Sequence, residues 1–215
     1  MHTYTPTETE KRILAAAAEV FLEKGFRATT SQDIANRAGC NQALVYYYFR
    51  NKENLFLKVF SEKTELVFNS FADPLKRDLP FEDRLCTMIE AYFDFLQDHK
   101  QLPFFIVIEL LQSEDNRQML IDSFQHNSVR ADVFFSFDRA VQAEVKSGTI
   151  RPIETFDLMM DIISLCVATF ISQPILLHVL TSSGSPDDDA LAHEYLIHRK
   201  QEITELILRG IRVSL

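Results

Sequence analysis

The sequence predicts an all-α fold, and two observations indicate it. Only 5 of the 215 residues are glycine, and long stretches repeat their apolar residues with the 3.6-residue period of a helix. Apolar residues make up 47% of the chain, which is enough for a substantial core. The length suits a small N-terminal domain followed by a larger helical one.

The first helix is marked at both ends. Thr7 and Glu10 stand at the spacing of a capping box, which begins a helix. Gly25 is expected to end it. In between, apolar residues recur at helical spacing, at Ile13, Leu14, Ala17, Ala18 and Phe21. We expect this helix to support the two short helices that follow.

Residues 31–49 predict two short helices joined by a tight turn. Thr30 is the expected N-cap of the first, which runs to about Ala38, and Asn41 caps the second. Gly39 supplies the left-handed residue of the turn, a conformation that a β-branched residue adopts only with strain. The pattern predicts a helix-turn-helix. An ordinary hairpin of two helices, with tyrosines in its core, has the same pattern.

The second short helix carries more aromatic hydroxyl groups than the packing of one short helix requires. In a helix-turn-helix that binds DNA, this helix lies in the major groove. Gln42 can read a base through paired hydrogen bonds, while Ala43 and Leu44 can contact a thymine methyl group. The hydroxyls of the three tyrosines at 46–48 can reach phosphates.

A fourth helix is expected next. Asn51 caps it, and Glu53 lies in its positive first turn. Its apolar stripe consists of Leu55, Phe56, Val59 and Phe60. The pair Asp73–Pro74 is the expected break after it.

The segment 16–56, AAAEVFLEKGFRATTSQDIANRAGCNQALVYYYFRNKENLF, resembles the tetracycline-repressor (TetR) family of bacterial transcriptional regulators. The resemblance implies a homodimer that binds a palindromic operator in double-stranded DNA, usually as a repressor, and that responds to a small-molecule effector. It places Val45 and Phe49 in the core. It implies DNA contacts at Thr29, Thr30, Gln42, Ala43, Leu44, Tyr46, Tyr47, Tyr48 and Lys52.

The charge is divided unevenly along the chain. Residues 1–52 carry seven Lys and Arg against five Asp and Glu, a net charge of +2. Because the whole chain has a net charge of −9, residues 53–215 carry a net charge of −11. DNA contact is therefore expected only at the N-terminal part, and it should depend on salt. We expect a DNA-binding domain over residues 1–52 and a regulatory and dimerisation domain over residues 53–215.

In the C-terminal part we expect helices at about 80–99, 103–112, 116–146, 154–180 and 189–213. Residues 156–171 have few polar positions, so nearly the whole circumference of that helix must be covered. The family implies a four-helix dimer interface formed with the last helix. A helix buried within one monomer is the alternative. The expected interface residues are Ile163, Cys166, Phe170, Ile203, Ile207 and Ile211.

The chain holds 18 phenylalanines, many of them in the C-terminal part. Family members use such helices to enclose an effector, and an apolar or amphipathic molecule is expected here. Aromatic stripes also form plain core. The expected ligand-binding residues are Phe93, Phe104, Phe105, Glu109, Phe124, Phe134 and Phe170.

Other classes of protein are less well supported by the sequence. His193–Glu194 with His198 has the wrong spacing for two metal ligands on one helix face, and no catalytic motif is present, so we expect neither an enzyme nor a helical-bundle metal site. Three widely spaced cysteines fit neither a disulfide framework nor a zinc site. We expect no cofactor, no membrane span and a cytoplasmic location. A constitutive DNA-binding protein without an effector remains an alternative.

Overall fold

The computed structural model describes residues 7–126, 128–180 and 188–213, and the side chains of these residues except those at 71, 123–130, 177, 180, 188 and 189. The described residues form ten α-helices and no strand. The helices are α1 Glu8–Ala28, α2 Ser31–Ala38, α3 Gln42–Phe49, α4 Lys52–Leu75, α5 Phe81–Asp98, α6 Gln101–Gln112, α7 Glu114–His126, α8 Ser128–Ser147, α9 Thr155–Leu180 and α10 Asp188–Ile211.

The chain divides into two compact units, and the division differs from the predicted boundary between residues 52 and 53. The first unit comprises residues up to 66 together with 104–121, and the second comprises 67–103 together with 122 onward. The first part of α4 belongs to the first unit because Phe56 packs edge-on against Phe21, with ring centroids 5.2 Å apart. Phe105 of α6 joins the same cluster, 6.1 Å from Phe56 and 6.0 Å from Phe60.

The helix ends in the first unit follow the predicted signals. Thr7 accepts a hydrogen bond from the Glu10 N–H and Asn51 accepts one from the Asn54 N–H, so both are N-caps. The regular turns of α1 are interrupted at Gly25, with φ 73° and ψ 170°. Ile13 and Val45 are buried as predicted, and Ile34 of α2 is buried as well.

The second unit is organised around one apolar core contributed by four helices. Its buried residues include Leu85, Ile89 and Phe93 of α5, Phe137 and Val141 of α8, Leu158, Ile162, Cys166 and Phe170 of α9, and Leu196, Ile203, Ile207 and Ile211 of α10. Within α9, Thr155–Leu176 is long and apolar enough to span a membrane, a property shared by the core helices of soluble proteins. One side of α9 is part of the core of the second unit.

In the C-terminal part, the helix predicted over 116–146 corresponds to α7 and α8, and residue 127, which separates their ranges, lies outside the described residues. The predicted dimer interface differs from the structure. Of the predicted dimer-interface residues, only Ile163 is half-exposed. The other five are at most 5% exposed and belong to the core of the unit, so they cannot face a second copy: Cys166, Phe170, Ile203, Ile207 and Ile211.

Candidate DNA-binding surface

Helix α2 begins at a capping box. The hydroxyl of Thr30 accepts a hydrogen bond from the Asp33 N–H at 3.1 Å, and the Asp33 carboxylate accepts one from the Thr30 N–H at 2.9 Å. Lys24 donates to the same carboxylate at 3.0 Å. The hydrogen bonds from Thr30 and Lys24 lower the pKa of Asp33 from 3.8 to about 2. The start of α2 is therefore fixed by an acceptor that stays ionised.

The turn between α2 and α3 has the predicted geometry. Gly39 has φ 62° and ψ 41°, the left-handed conformation, and its N–H donates to the Asn36 carbonyl at 3.2 Å. Asn41 then caps α3 by accepting a hydrogen bond from the Leu44 N–H at 3.0 Å. The predictions of a left-handed Gly39 and of Asn41 as an N-cap are both confirmed. The two helices form a helix-turn-helix.

Helix α2 is also bound to α1 through charged side chains. The guanidinium of Arg37 donates to Glu19 at 3.0 Å and to Glu23 at 2.8 Å. These carboxylates raise the pKa of Arg37, and the hydrogen bond from Arg37 lowers the pKa of Glu23. Exposed ion pairs of this kind add little stability. Their geometry does orient α2 against α1.

The two sides of α3 differ in exposure. Val45 and Phe49 are 1% and 6% exposed, which confirms that they are core residues. Tyr47 is 78% exposed and Tyr46 is 47% exposed. The remaining predicted contacts on the pair of helices are also at least partly exposed, namely Thr30, Gln42, Ala43, Leu44 and Tyr48. DNA contact at these seven positions stays a prediction.

Two other predicted contacts have structural roles. Thr29 is 1% exposed and its hydroxyl donates to the Gly25 carbonyl at 2.7 Å, so the predicted DNA contact at this buried position is wrong. The Nζ of Lys52 donates to the carbonyls of Phe26 at 3.0 Å and Thr29 at 2.9 Å. Two of its three N–H donors are thus used inside the protein, which favours a role in holding the loop over contact with phosphate.

The residues predicted to enclose an effector are divided between the two units. Phe104, Phe105 and Glu109 belong to the first unit, where Glu109 Oε1 accepts a hydrogen bond from the Phe26 N–H at 3.0 Å. In the second unit, Phe93 packs on Phe170 at 4.9 Å between centroids and both are core. Phe134 is half-buried, and its ring lies 5.8 Å from that of the exposed Phe135. Phe124 lies outside the described side chains.

A small cavity lies in the core of the second unit. Its volume is about 10 Å³, which is close to the size of one water molecule. Its walls are Leu75, Met88, Tyr92, Phe137, Met159, Ile162 and Ile163. Of the predicted ligand-binding residues, none lines it.

Sequence reasoning missed two residues that shape this surface, Asp33 and Arg50, and assigned a third, Glu109, to an effector site. Asp33 stands three residues after Thr30, a capping-box spacing that was available as a signal. Arg50 ends α3 with φ 66°, which is unusual for a residue other than glycine. Glu109 binds a residue 83 positions away, a contact for which a single sequence carries no local signal.

The chain resembles known proteins along most of its length. Residues 13–59 match the family described as bacterial regulatory proteins, tetR family. The "HTH-type transcriptional activator FasR" of Mycolicibacterium smegmatis is 31% identical over 94 residues, which are 44% of this chain and 43% of that protein. The "Fatty acid metabolism regulator protein" of Bacillus subtilis is 29% identical over 140 residues, which are 65% of this chain and 70% of that protein.

A solved structure supports the fold as a whole. The transcriptional regulator FadR from Bacillus subtilis, solved in complex with stearoyl-CoA, superposes with a TM-score of 0.63 at 22% identity. The match covers 94% of this chain and 99% of that one. At this identity the likeness concerns the fold: an N-terminal helix-turn-helix followed by a helical C-terminal part.

Proposed function

The chain belongs to the tetR family of bacterial regulatory proteins, and on that premise we propose that it recognises DNA sequence by placing α3 in the major groove. The observation that carries the proposal is the exposure of Tyr47, 78%, on a helix whose opposite side is buried. At this exposure Tyr47 adds little to the packing of the helix, although its ring meets that of Tyr48 edge-on, with centroids 5.1 Å apart. It does have a hydroxyl and an aromatic ring that can contact phosphate and bases. Residues 1–52 add a net charge of +2.

We further propose a homodimer on a palindromic operator. Positions 156, 160, 164 and 168 of α9 are all exposed and repeat every four residues, so they lie along one side of the helix. Phe156 and Met160 are large and apolar, 64% and 43% exposed. Ser164 and Ala168 are small and allow a second helix to approach closely. A dimer allows two α3 helices to bind half-sites about one DNA turn apart.

The effector that we propose is a long-chain acyl-CoA, which releases the repressor from its operator. A similar sequence and a similar solved structure, both from Bacillus subtilis, carry fatty acid metabolism and stearoyl-CoA in their descriptions. Such a thioester has the amphipathic character expected from the phenylalanine-rich sequence. The observation that favours the alternative, a constitutive DNA-binding protein, is the cavity of about 10 Å³ in the second unit. An acyl chain would have to open this core.

One experiment separates these possibilities. Fragments bound by the protein are selected from the DNA of its own organism, and affinity for a selected fragment is measured with and without stearoyl-CoA. We expect binding to a palindromic fragment that weakens with stearoyl-CoA and not with free coenzyme A or stearate. Binding that none of the three changes would favour the constitutive regulator, and failure to select any fragment would contradict DNA recognition itself.

The relatives are named as regulators, and we propose a regulatory rather than an enzymatic role. Access to chromosomal DNA requires a cytoplasmic location, which we propose as well.

A further inference from the structure

The junction between α1 and α2, residues 25–30, is held by side chains from elsewhere in the first unit. Gly25 has φ 73° and ψ 170°, a backbone conformation open essentially to glycine alone. In an unbroken helix the N–H of Phe26 would donate to the carbonyl of residue 22. Here it donates to Glu109 Oε1 of α6, at 3.0 Å. The break in α1 thus turns a backbone donor toward α6.

The same residue is bound on its carbonyl side by Lys52 of α4. The Nζ of Lys52 donates to the Phe26 carbonyl at 3.0 Å and lies 4.2 Å from the centroid of the Phe26 ring. It also donates to the Thr29 carbonyl at 2.9 Å. Thr30, the next residue, caps α2. Both polar groups of Phe26 are therefore fixed by charged side chains immediately before the helix-turn-helix begins.

Glu109 is unusual for a carboxylate because it is only 5% exposed. Burial of an ionised group is unfavourable unless hydrogen bonds compensate for it. A charged acceptor makes a stronger hydrogen bond to a backbone N–H than a neutral one does. A cavity of about 350 Å³ borders the carboxylate, with Phe105 and Ile108 among its walls. Small changes in the length of this side chain can therefore be made without forcing neighbouring groups to move.

We propose that Glu109 is a positioning residue for DNA binding: its carboxylate fixes the α1–α2 junction and thereby the orientation of the helices that meet DNA. The inference rests on the proposed function of α3. It extends the determinants of operator affinity to a residue on α6, outside the helix-turn-helix. When the bond is lost, only a fraction of molecules holds the junction in the binding geometry, and the apparent dissociation constant rises in inverse proportion to that fraction.

Three variants separate the hydrogen bond from charge and packing. Glu109→Gln keeps the length and an acceptor oxygen without the charge. Glu109→Asp keeps the charge but is one methylene too short. Glu109→Leu keeps the volume and removes the acceptor. Glu114→Gln, at an exposed position at the start of α7, is the matched control for loss of one negative charge.

The two readouts are operator affinity and hydrogen exchange at the Phe26 amide. We expect Glu109→Asp and Glu109→Leu to weaken operator binding about tenfold or more, the loss expected for a hydrogen bond to a charged group. Glu109→Gln and the control should bind within a few fold of the parent protein. Exchange at the Phe26 amide should accelerate in the Asp and Leu variants only.

The proposal is overturned if Glu109→Asp binds the operator as the parent does, or if its Phe26 amide stays as protected. It is also overturned if Glu109→Gln loses binding as fully as Glu109→Asp, because charge rather than reach would then matter. Amide exchange is measured without DNA, so it tests the hydrogen bond independently of the proposed function. The parent protein is titrated with the same operator as the variants. A parent protein that binds no DNA would instead contradict the proposed function.

Discussion

The two units obtain their structures from different interactions. In the first unit, α1, α2, α3 and α4 each begin at a capping side chain, at Thr7, Thr30, Asn41 and Asn51. In the second unit, α5 begins after Pro80 without a side-chain cap, and its helices are held by a shared apolar core. Polar groups at helix ends fix direction closely, whereas apolar faces fix only which side is covered.

The largest expected difference between the units concerns a charge placed in the core of the second. Ile203 is 0% exposed, so Ile203→Glu buries an unpaired carboxylate and should reduce the free energy of unfolding by roughly 4 kcal/mol or more. Met160, 43% exposed, provides the matched variant. Met160→Glu should change the stability of the monomer itself by less than about 0.5 kcal/mol, and any further loss should vanish at protein concentrations at which the parent is also monomeric.

Denaturant unfolding and sedimentation velocity measure both variants. Met160→Glu should sediment as a monomer if the exposed side of α9 contacts a second copy. A folded Ile203→Glu protein of undiminished stability would contradict the assignment of Ile203 to the core. A Met160→Glu protein that remains dimeric would move the proposed interface elsewhere.

In the first unit the largest effect is expected at the turn. A Cβ atom at Gly39 would meet no heavy atom within 4 Å, so only the positive φ of 62° opposes a side chain. Gly39→Val should therefore reduce stability by about 1–3 kcal/mol through backbone strain and should weaken operator binding. Gly39→Asn should be milder because asparagine tolerates this conformation. Equal stability of the two variants would show that strain is not the cause.

A smaller effect is expected from the cap of α2. Thr30→Ala removes the acceptor for the Asp33 N–H and should reduce the free energy of unfolding by about 1 kcal/mol. Thr30→Ser retains the hydroxyl and should behave as the parent protein does. Chemical denaturation compares the two, and an unaffected Thr30→Ala protein would mean that the capping box does not stabilise α2.

The smallest effect is the pH dependence of the stability that the capping box of α2 contributes. The pKa of Asp33 is lowered from 3.8 to about 2 by its hydrogen bonds to Thr30 and Lys24. Because the folded-state pKa lies below the unfolded one, the stabilisation is complete above pH 3.8 and disappears as pH falls through about 2. A carboxyl-carbon NMR titration of Asp33 with a midpoint at 3.8 or above would contradict this.

The same contrast explains what the sequence predicts and what it does not. Thr30, Gly39 and Asn41 were predicted because a cap or a turn depends on residues within four positions of one another. Ile207 was misplaced because an apolar residue on a helix is equally suited to a core and to an interface. Glu109 was assigned to an effector site because its partner, Phe26, is brought near only by folding. Caps and turns can therefore be predicted from a sequence, whereas it cannot be predicted whether an apolar helix face lies in a core or at an interface.

We propose that the exposed side of α3 serves contact with DNA and not stability. Operator affinity and thermal unfolding of Tyr47→Ala, measured on the same preparation, test it most directly. The tyrosine is 78% exposed, so the midpoint of unfolding should not change. The dissociation constant for the operator should rise about 5- to 150-fold, equivalent to roughly 1–3 kcal/mol. A Tyr47→Ala protein that binds the operator as tightly as the parent protein would contradict the claim.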